Sequence, residues 1–475
     1  MLLGPTPPRA SSSTKPAPKA APKAKPQPQS RPTAAGYAPP ATINDTCATD
    51  DTLALESWLI SLPTGSHAKP TTVQFAKGGC YLVNGELYLR GLTSTVFDGN
   101  GATFKQATPR TCRIRGLGCA DRAKVSETDI PDDPATAPYC GSTAFMNSSR
   151  SEDTAVDVMW WFEGGCDITL EDMTIEGTND GSGGRMRQQD SFVDFAGTQR
   201  ALVEDVTMSG PYGDYVDCAG LHEAGLGGNN EATDITIAHD TLSRAGRVGI
   251  GIIACSRVSV TDNVISGGAL CLFDIEEDNT TPLDGYGPQD DISITHNTIP
   301  NMGYTYLLSA QTAGGVNRLA FDDNTLTGTS QFRVVVKAWS DSGNIEIDGN
   351  TVAAPTTWPH SRGAEVVVEA THGASLEDVQ VDDNKAPLFE WKTGDVAGAP
   401  FADFDDAADW AAHNTFTADR YLRSSHYAGS VYVMQSGSPG IACGNTTSAG
   451  VSLDRACSKT PPAVTAPTLA LLPDN

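Results

Sequence analysis

One short unit recurs along most of this chain: an alternating strand followed by a polar turn. It is read in CDITLEDMTI, RALVEDVTM, TDITIAHDTL, SRVSVTDNVI, DDISITHNTI, NRLAFDDNTL, GNIEIDGNTV and EDVQVDDNKA. Aligned on the turn, the equivalent positions are Met173, Val206, Asp240, Asn263, Asn297, Asn324, Asn350 and Asn384, spaced by 33, 34, 23, 34, 27, 26 and 34 residues. That spacing is too irregular for helical repeats and suits stacked coils with loops of variable length. β-branched residues alternate within each unit and no repeated helix intervenes. Asn at one place in successive coils predicts a left-handed turn there, with Asn side chains hydrogen-bonded along the stack. The pattern is all-β, a single-stranded right-handed parallel β-helix. A β-sandwich would not repeat the same turn chemistry eight times.

Such a stack exposes an apolar layer at each end and has to be capped. Residues 50–62 (DDTLALESWLISL) predict an N-terminal capping helix, with Asp51 or Thr52 as N-cap and Leu53, Leu55, Trp58, Leu59 and Leu62 apolar. Residues 42–398 are assigned to the β-helix with this cap, 399–457 to a C-terminal cap region and 458–475 to a tail. Residues 1–41 read as a disordered linker rich in Pro, Ala and Lys. Its first 40 residues carry six cations, no acid and eleven of the 30 prolines, a composition that cannot bury enough surface to fold.

The segments DDTLALESWL, TVQFAKGGCYL and FDGNGATF resemble the N-terminal cap of pectate-lyase-like β-helix proteins, and the resemblance extends over about residues 44–395. It implies the fold and a carbohydrate-active member. That superfamily holds glycoside hydrolases, polysaccharide lyases, epimerases, phage tailspikes and adhesins, so the resemblance alone does not choose a reaction.

A second strand precedes the turn strand in each coil: SFVDFAG, DYVDCAG, RVGIGII, CLFDIEED, YTYLLSA, FRVVVKA and EVVVEAT. Side chains alternate across a strand, so the apolar members fix the direction of the rest. The alternation places Asp194, Tyr215, Asp217, Arg247, Gly249, Gly251, Asp274 and Glu276 outside. With coils about 4.8 Å apart, Asp194 and Asp217 are neighbours and Asp274 lies about 10 Å beyond Asp217. Gly249 and Gly251 floor the gap, and glycine in a strand marks a place where something approaches the backbone.

Paired carboxylates are what glycosidic cleavage needs: one protonates the leaving oxygen while the other activates water or attacks carbon. The catalytic candidates are Asp217, Asp274, Glu276 and Asp194, with spacing that favours inversion. Arg247, Tyr215, His222, Glu277, Lys337, Trp339 and Tyr306 are the substrate-binding candidates. His239 and His296 fall on repeat turns and read as structural, and Lys337 with Glu369 as a cross-coil ion pair. The leading reading is a secreted glycoside hydrolase acting on a polysaccharide or oligosaccharide without a cofactor. It resembles polygalacturonase-type enzymes in its acidic strand cluster but lacks N-T-D, G-D-D, G-H-G and R-x-K in matching order. A lyase or epimerase would instead use Asp194, Asp217, Asp274 and Glu276 as Ca²⁺ ligands, with Arg247 or Lys337 near the base position. A glycan-binding adhesin or phage-type fibre would need no chemistry.

Charge narrows the partners. With Lys+Arg 32 against Asp+Glu 58 the chain is −26, and the part beyond residue 40 is −32. Nucleic acid and polyuronates are repelled by such a surface. No stretch approaches the ~20 apolar residues of a membrane span. Of the 11 cysteines, the spacings of Cys112 with Cys119, Cys443 with Cys457 and Cys47 with Cys80 suit disulfides, while Cys218, Cys255 and Cys271 read as buried thiols. The start MLLGPTPP has no h-region for a signal peptide.

Overall fold

The computed structural model describes residues 36–107, 158–179, 191–220, 231–267, 271–276, 289–300, 306–312, 314–327, 333–338, 340–353, 365–370, 374–387, 402–403, 410–417, 441–448, 450–459 and 467. All pairings between its named strands are parallel, and each strand pairs with its counterpart in the next coil. The chain therefore winds as a parallel β-helix. One wall is a sheet of ten strands running from Leu87–Arg90 through Val193–Ala196, Val216–Ala219, Val248–Ile253 and Cys271–Glu276 to Ala402–Asp403. The repeat strands and the short strands after each turn form the rest of the coil.

Inside, like side chains stack on like. Phe97, Leu170, Val203, Ile237, Val260, Ile294 and Phe321 make one column, each in register with the next and fully buried or nearly so. Aromatics fill the N-terminal coils, where Phe75, Phe104 and Trp160 meet edge to face at 4.8–6.3 Å. The helix Thr52–Ile60 sends Leu55 and Leu59 into this core while Leu53 stays exposed. Asp51 holds the N-cap position without capping: its Oδ1 accepts from Asn44 N–H, and Asp50 Oδ1 accepts from Thr52 N–H instead.

The Asn stack forms as the repeat predicts, with one correction. The left-handed residue is the one before each Asn: Asp262, His296, Asp323, Gly349 and Asp383 all have φ between 49° and 65°. That leaves each Asn free to turn inward, where Asn263, Asn297, Asn324, Asn350 and Asn384 donate from backbone N–H and Nδ2 to the Oδ1 of the next rung. The ladder continues through Asn414 and Asn445 and ends on Asp454, whose carboxylate accepts from Asn445. Coils thus run past residue 398, into the region read from sequence as a cap. At the other end Tyr37, inside the stretch read as linker, bridges to Val73, so folded chain begins before residue 42.

A second column of left-handed residues carries alternating charge. Asp167, Arg200, Asp234, Arg257, Asp291 and Arg318 occupy one register position, and each Arg grips the Asp of the preceding coil through two N–H···O bonds of 2.6–3.1 Å. These pairs are partly solvated, so Arg257→Ala is expected to cost only about 0.2–1 kcal/mol, falling with added salt in urea titrations.

Cys47–Cys80 and Cys443–Cys457 are disulfides, and Cys218, Cys255 and Cys271 are buried thiols, as read; Cys112 and Cys119 lie outside the described residues. The described residues include no helix long and apolar enough to cross a membrane.

Candidate active site

The site sits on the outer face of the ten-stranded wall, and its geometry begins at the corner where each strand is entered. There, two successive residues face inward rather than one. Phe192 and Val193, Tyr215 and Val216, Leu272 and Phe273, and Leu307 and Leu308 all belong to the core. Residues three apart therefore share the outer face: Ser191 with Asp194, Asp214 with Asp217, and Cys271 with Asp274. This overturns the sequence placement of Tyr215, which is fully buried; its hydroxyl accepts from Ala245 N–H and donates to Ser266 O. Gly249 shares that inward row, and a β-carbon there would strike Leu272. The predicted floor of two glycines thus reduces to Gly251.

The register across this face is Asp194, Asp217, Gly251, Asp274 and Ser309 on consecutive rungs. Asp194 and Asp274 are half-buried, whereas Asp217 is 7% exposed. Asp217 Oδ2 accepts from Ser191 Oγ at 2.5 Å. Its Oδ1 lies over Gly251, in the space a β-carbon would fill, with no N–H or O–H of the described residues bonded to it. The glycine is there because the carboxyl of the previous rung leans across it. Gly251→Ala is expected to push Asp217 aside and cut turnover at least ~10²-fold, with thermal unfolding little changed; near-normal activity in the variant would rule out this packing.

Arg247 lies between carboxylates. Its two terminal nitrogens donate to Asp214 Oδ2 at 2.7 Å and Glu276 Oε1 at 3.1 Å. Asp214, fully buried, also accepts from Val248 N–H at 2.6 Å. Burial by itself would lower the Arg247 pKa, but Asp214, Asp217 and Glu276 together outweigh it and hold the guanidinium charged. Burial pushes Asp217 up to about 7, helped by the neighbouring Asp194 charge, while Ser191 and Arg247 oppose the rise. Asp274 is also raised to about 7, first by burial and then by Glu276, against Arg247 and the Cys271 thiol. Asp214 is raised by burial and by Asp217, and the two carboxyls are close enough to share a proton.

The wall brings together Asp194, Asp217, Arg247, Asp274 and Glu276 as the alternation predicts. Lys337 stands two rungs beyond Glu276 and in register with Glu369. Tyr306 begins the strand Tyr306–Thr312, while the Tyr306 side chain, His222, Glu277 and Trp339 lie outside the described residues. Among the described residues no group of three or more Asp, Glu, His or Cys side chains is arranged to hold a metal ion. Ser191 and Asp214 are the residues sequence reasoning missed.

Residues 158–352, which hold this face, match the family model described as a right handed beta helix region. The fold is a right-handed parallel β-helix. No curated protein matches its sequence. Among solved structures it is similar to a family 28 exopolygalacturonase from Yersinia enterocolitica, at 11% identity over 87% of this chain and 77% of that one, TM-score 0.47. A hyperthermoactive exopolygalacturonase from Thermotoga maritima matches at 12% identity over 86% of both chains, TM-score 0.48. The tailspike of E. coli bacteriophage HK620, solved with a pentasaccharide, matches at 9% identity over 85% of this chain and 63% of that one, TM-score 0.41. The β-helix supplies the frame for the carboxyl cluster; what the cluster does follows from its own chemistry.

Proposed function

We propose that this β-helix protein is a secreted glycoside hydrolase that cleaves a polysaccharide or oligosaccharide with inversion. The observation that carries the reading is the pair Asp217 and Asp274. They stand on one outer face with a single glycine rung between them, and both are pushed up to about 7. Two rungs set their main chains about 10 Å apart, and the lean of Asp217 over Gly251 shortens the gap toward the ~6.5–9.5 Å that admits a water between acid and base. Near neutral pH one group keeps its proton while the other is ionised.

Asp217, the more buried and crowded by Asp194, is the general acid, with its proton on the Oδ1 that lies over Gly251. Asp274, half-exposed and beside Arg247, is the base. Asp217 Oδ1–H protonates the glycosidic oxygen as the bond to the anomeric carbon breaks, and Asp274 takes a proton from the water that attacks the opposite face. Arg247 holds Asp214 and Glu276 in place around the pair. No step in this scheme calls for a cofactor. The two disulfides fit an oxidising compartment, in keeping with action outside the cell.

The test is the anomeric configuration of the first product, followed by proton NMR during digestion of a glycan panel. Inverted product without the ultraviolet absorbance of an unsaturated sugar is expected. Retained configuration would overturn the pairing, and an unsaturated product would make the protein a lyase.

A further inference from the structure

The charges of the site bear on which glycan it takes, an inference that rests on the hydrolase reading. Asp194, Asp214, Asp217, Asp274 and Glu276 crowd four rungs of one face. Among the described residues within two rungs of Gly251 on this wall, Arg247 is the one cation. An acidic sugar is ordinarily held by an arginine fork that presents two N–H groups to its carboxylate. Here each terminal nitrogen already gives one N–H to a carboxylate of the protein, one to Asp214 and the other to Glu276. Turning Arg247 toward a substrate would strip the partner from Asp214, which has no access to water that could replace it.

With Asp217 and Asp274 each half-protonated near pH 7, the described carboxylates of this face still outnumber its one described guanidinium. A uronate or sulfate entering this face would be desolvated among like charges, and the one described guanidinium that could meet it already bridges two of them. An uncharged sugar meets no such penalty, and its hydroxyls find carboxylate acceptors on both sides. We infer that the sugar cleaved here bears no carboxylate or sulfate, and that the substrate is a neutral glycan.

The experiment measures kcat/KM of the full chain on neutral β-glucan, xylan and galactomannan. Alongside these it uses polygalacturonate and alginate, each paired with its carboxyl-reduced counterpart. Calorimetric binding of neutral and uronate oligosaccharides is measured in parallel. Cleavage confined to uncharged polymers, with a preference of at least ~100-fold within any pair that is cut, is the expected result. Residual activity on an acidic member should rise between 0.1 and 1 M salt as the Debye length shrinks from ~10 to ~3 Å. Comparable cleavage of a polyuronate and its reduced partner would overturn the inference and leave the hydrolase reading intact. If no polymer is cut, the hydrolase reading falls. Binding then decides the inference alone: neutral oligosaccharides bound in preference uphold it, and uronates bound equally or better overturn it.

Discussion

Asp217→Asn and Asp274→Asn should each lower turnover by ~10²–10⁴-fold, the range that removing a general acid or base spans, while leaving the fold intact. The side chains keep their shape, and the amide oxygen at 217 can still accept from Ser191 Oγ. Losses should be in kcat more than in KM, because protons move in the transition state and not on binding. The double variant should be little worse than either single one, since acid and base serve one event. The wild-type pH profile should be bell-shaped, with both limbs near 7, and each single variant should lose one limb. A variant at either position that retained more than about a tenth of wild-type activity would remove that residue from the mechanism and return it to the solvated surface of an acidic protein.

The same substitutions have an opposite sign in stability. An aspartate unfolds to a pKa of about 3.9, whereas Asp217 folds with one of about 7. The native state therefore holds a proton that the unfolded chain releases, and stability falls as pH rises from about 4 to about 7. Asp217→Asn removes that loss. The variant should be more stable than wild type at pH 7 and above, with the advantage vanishing toward pH 4 in parallel urea titrations. An inactive protein more stable than the active one is the signature of a site whose charges oppose folding.

The coil was legible because its signals are local and repeated. Asn at one position in successive units predicted the ladder, and the alternation of VDF, VDC, IGI and FDI put Asp194, Asp217, Gly251 and Asp274 in line. The errors came where alternation is broken. Tyr215 and Gly249 were assigned outward by continuing a period of two through a corner, where the bend turns two neighbours inward. The same bend makes Asp214 and Asp217 partners, so the missed residues and the misplaced ones share a cause. An alignment of Ser191, Asp214 and Cys271 would have exposed a second polar column three residues before the first. The left-handed turn was placed one residue late for a similar reason. The repeated Asn is conspicuous, but the residue before it, variously Asp, His and Gly, takes the unusual φ and lets Asn face the core. The alternating Asp–Arg column could also have been read from the aligned repeats.

Asn324→Ala should be the most damaging substitution outside the site. Its Oδ1 accepts from Asn297 N–H at 2.9 Å and Asn297 Nδ2 at 3.1 Å, and its Nδ2 donates to Ile294 O at 2.9 Å and Asn350 Oδ1 at 3.1 Å. All three Asn residues are fully buried, so water cannot replace what is removed. Asn297 N–H is left without an acceptor and Ile294 O without this donor; at about 1–3 kcal/mol for each stranded group, the cost is about 3–5 kcal/mol. Hydrogen exchange should quicken at the amides of Asn297, Asn324 and Asn350 more than in the N-terminal coils, since a stacked repeat fails locally. Thr325→Ala, next to it and exposed, should change stability by less than about 0.5 kcal/mol. Asp240 provides the converse case. It occupies an Asn position, and its Oδ1 accepts from Val206 N–H at 2.7 Å. Among the described residues its buried Oδ2 has no hydrogen-bond partner, and it occupies the place of an Asn Nδ2. Burial holds its pKa well above the carboxylate range, so it lowers stability as pH rises above about 4. Asp240→Asn restores the missing donor and should add about 1–2 kcal/mol at pH 7, the gain shrinking as the pH falls toward 4. A ladder position where Asn→Ala cost nothing, or where Asp→Asn destabilised, would mean that the main chain alone holds the turn and that the stacked amides are passengers.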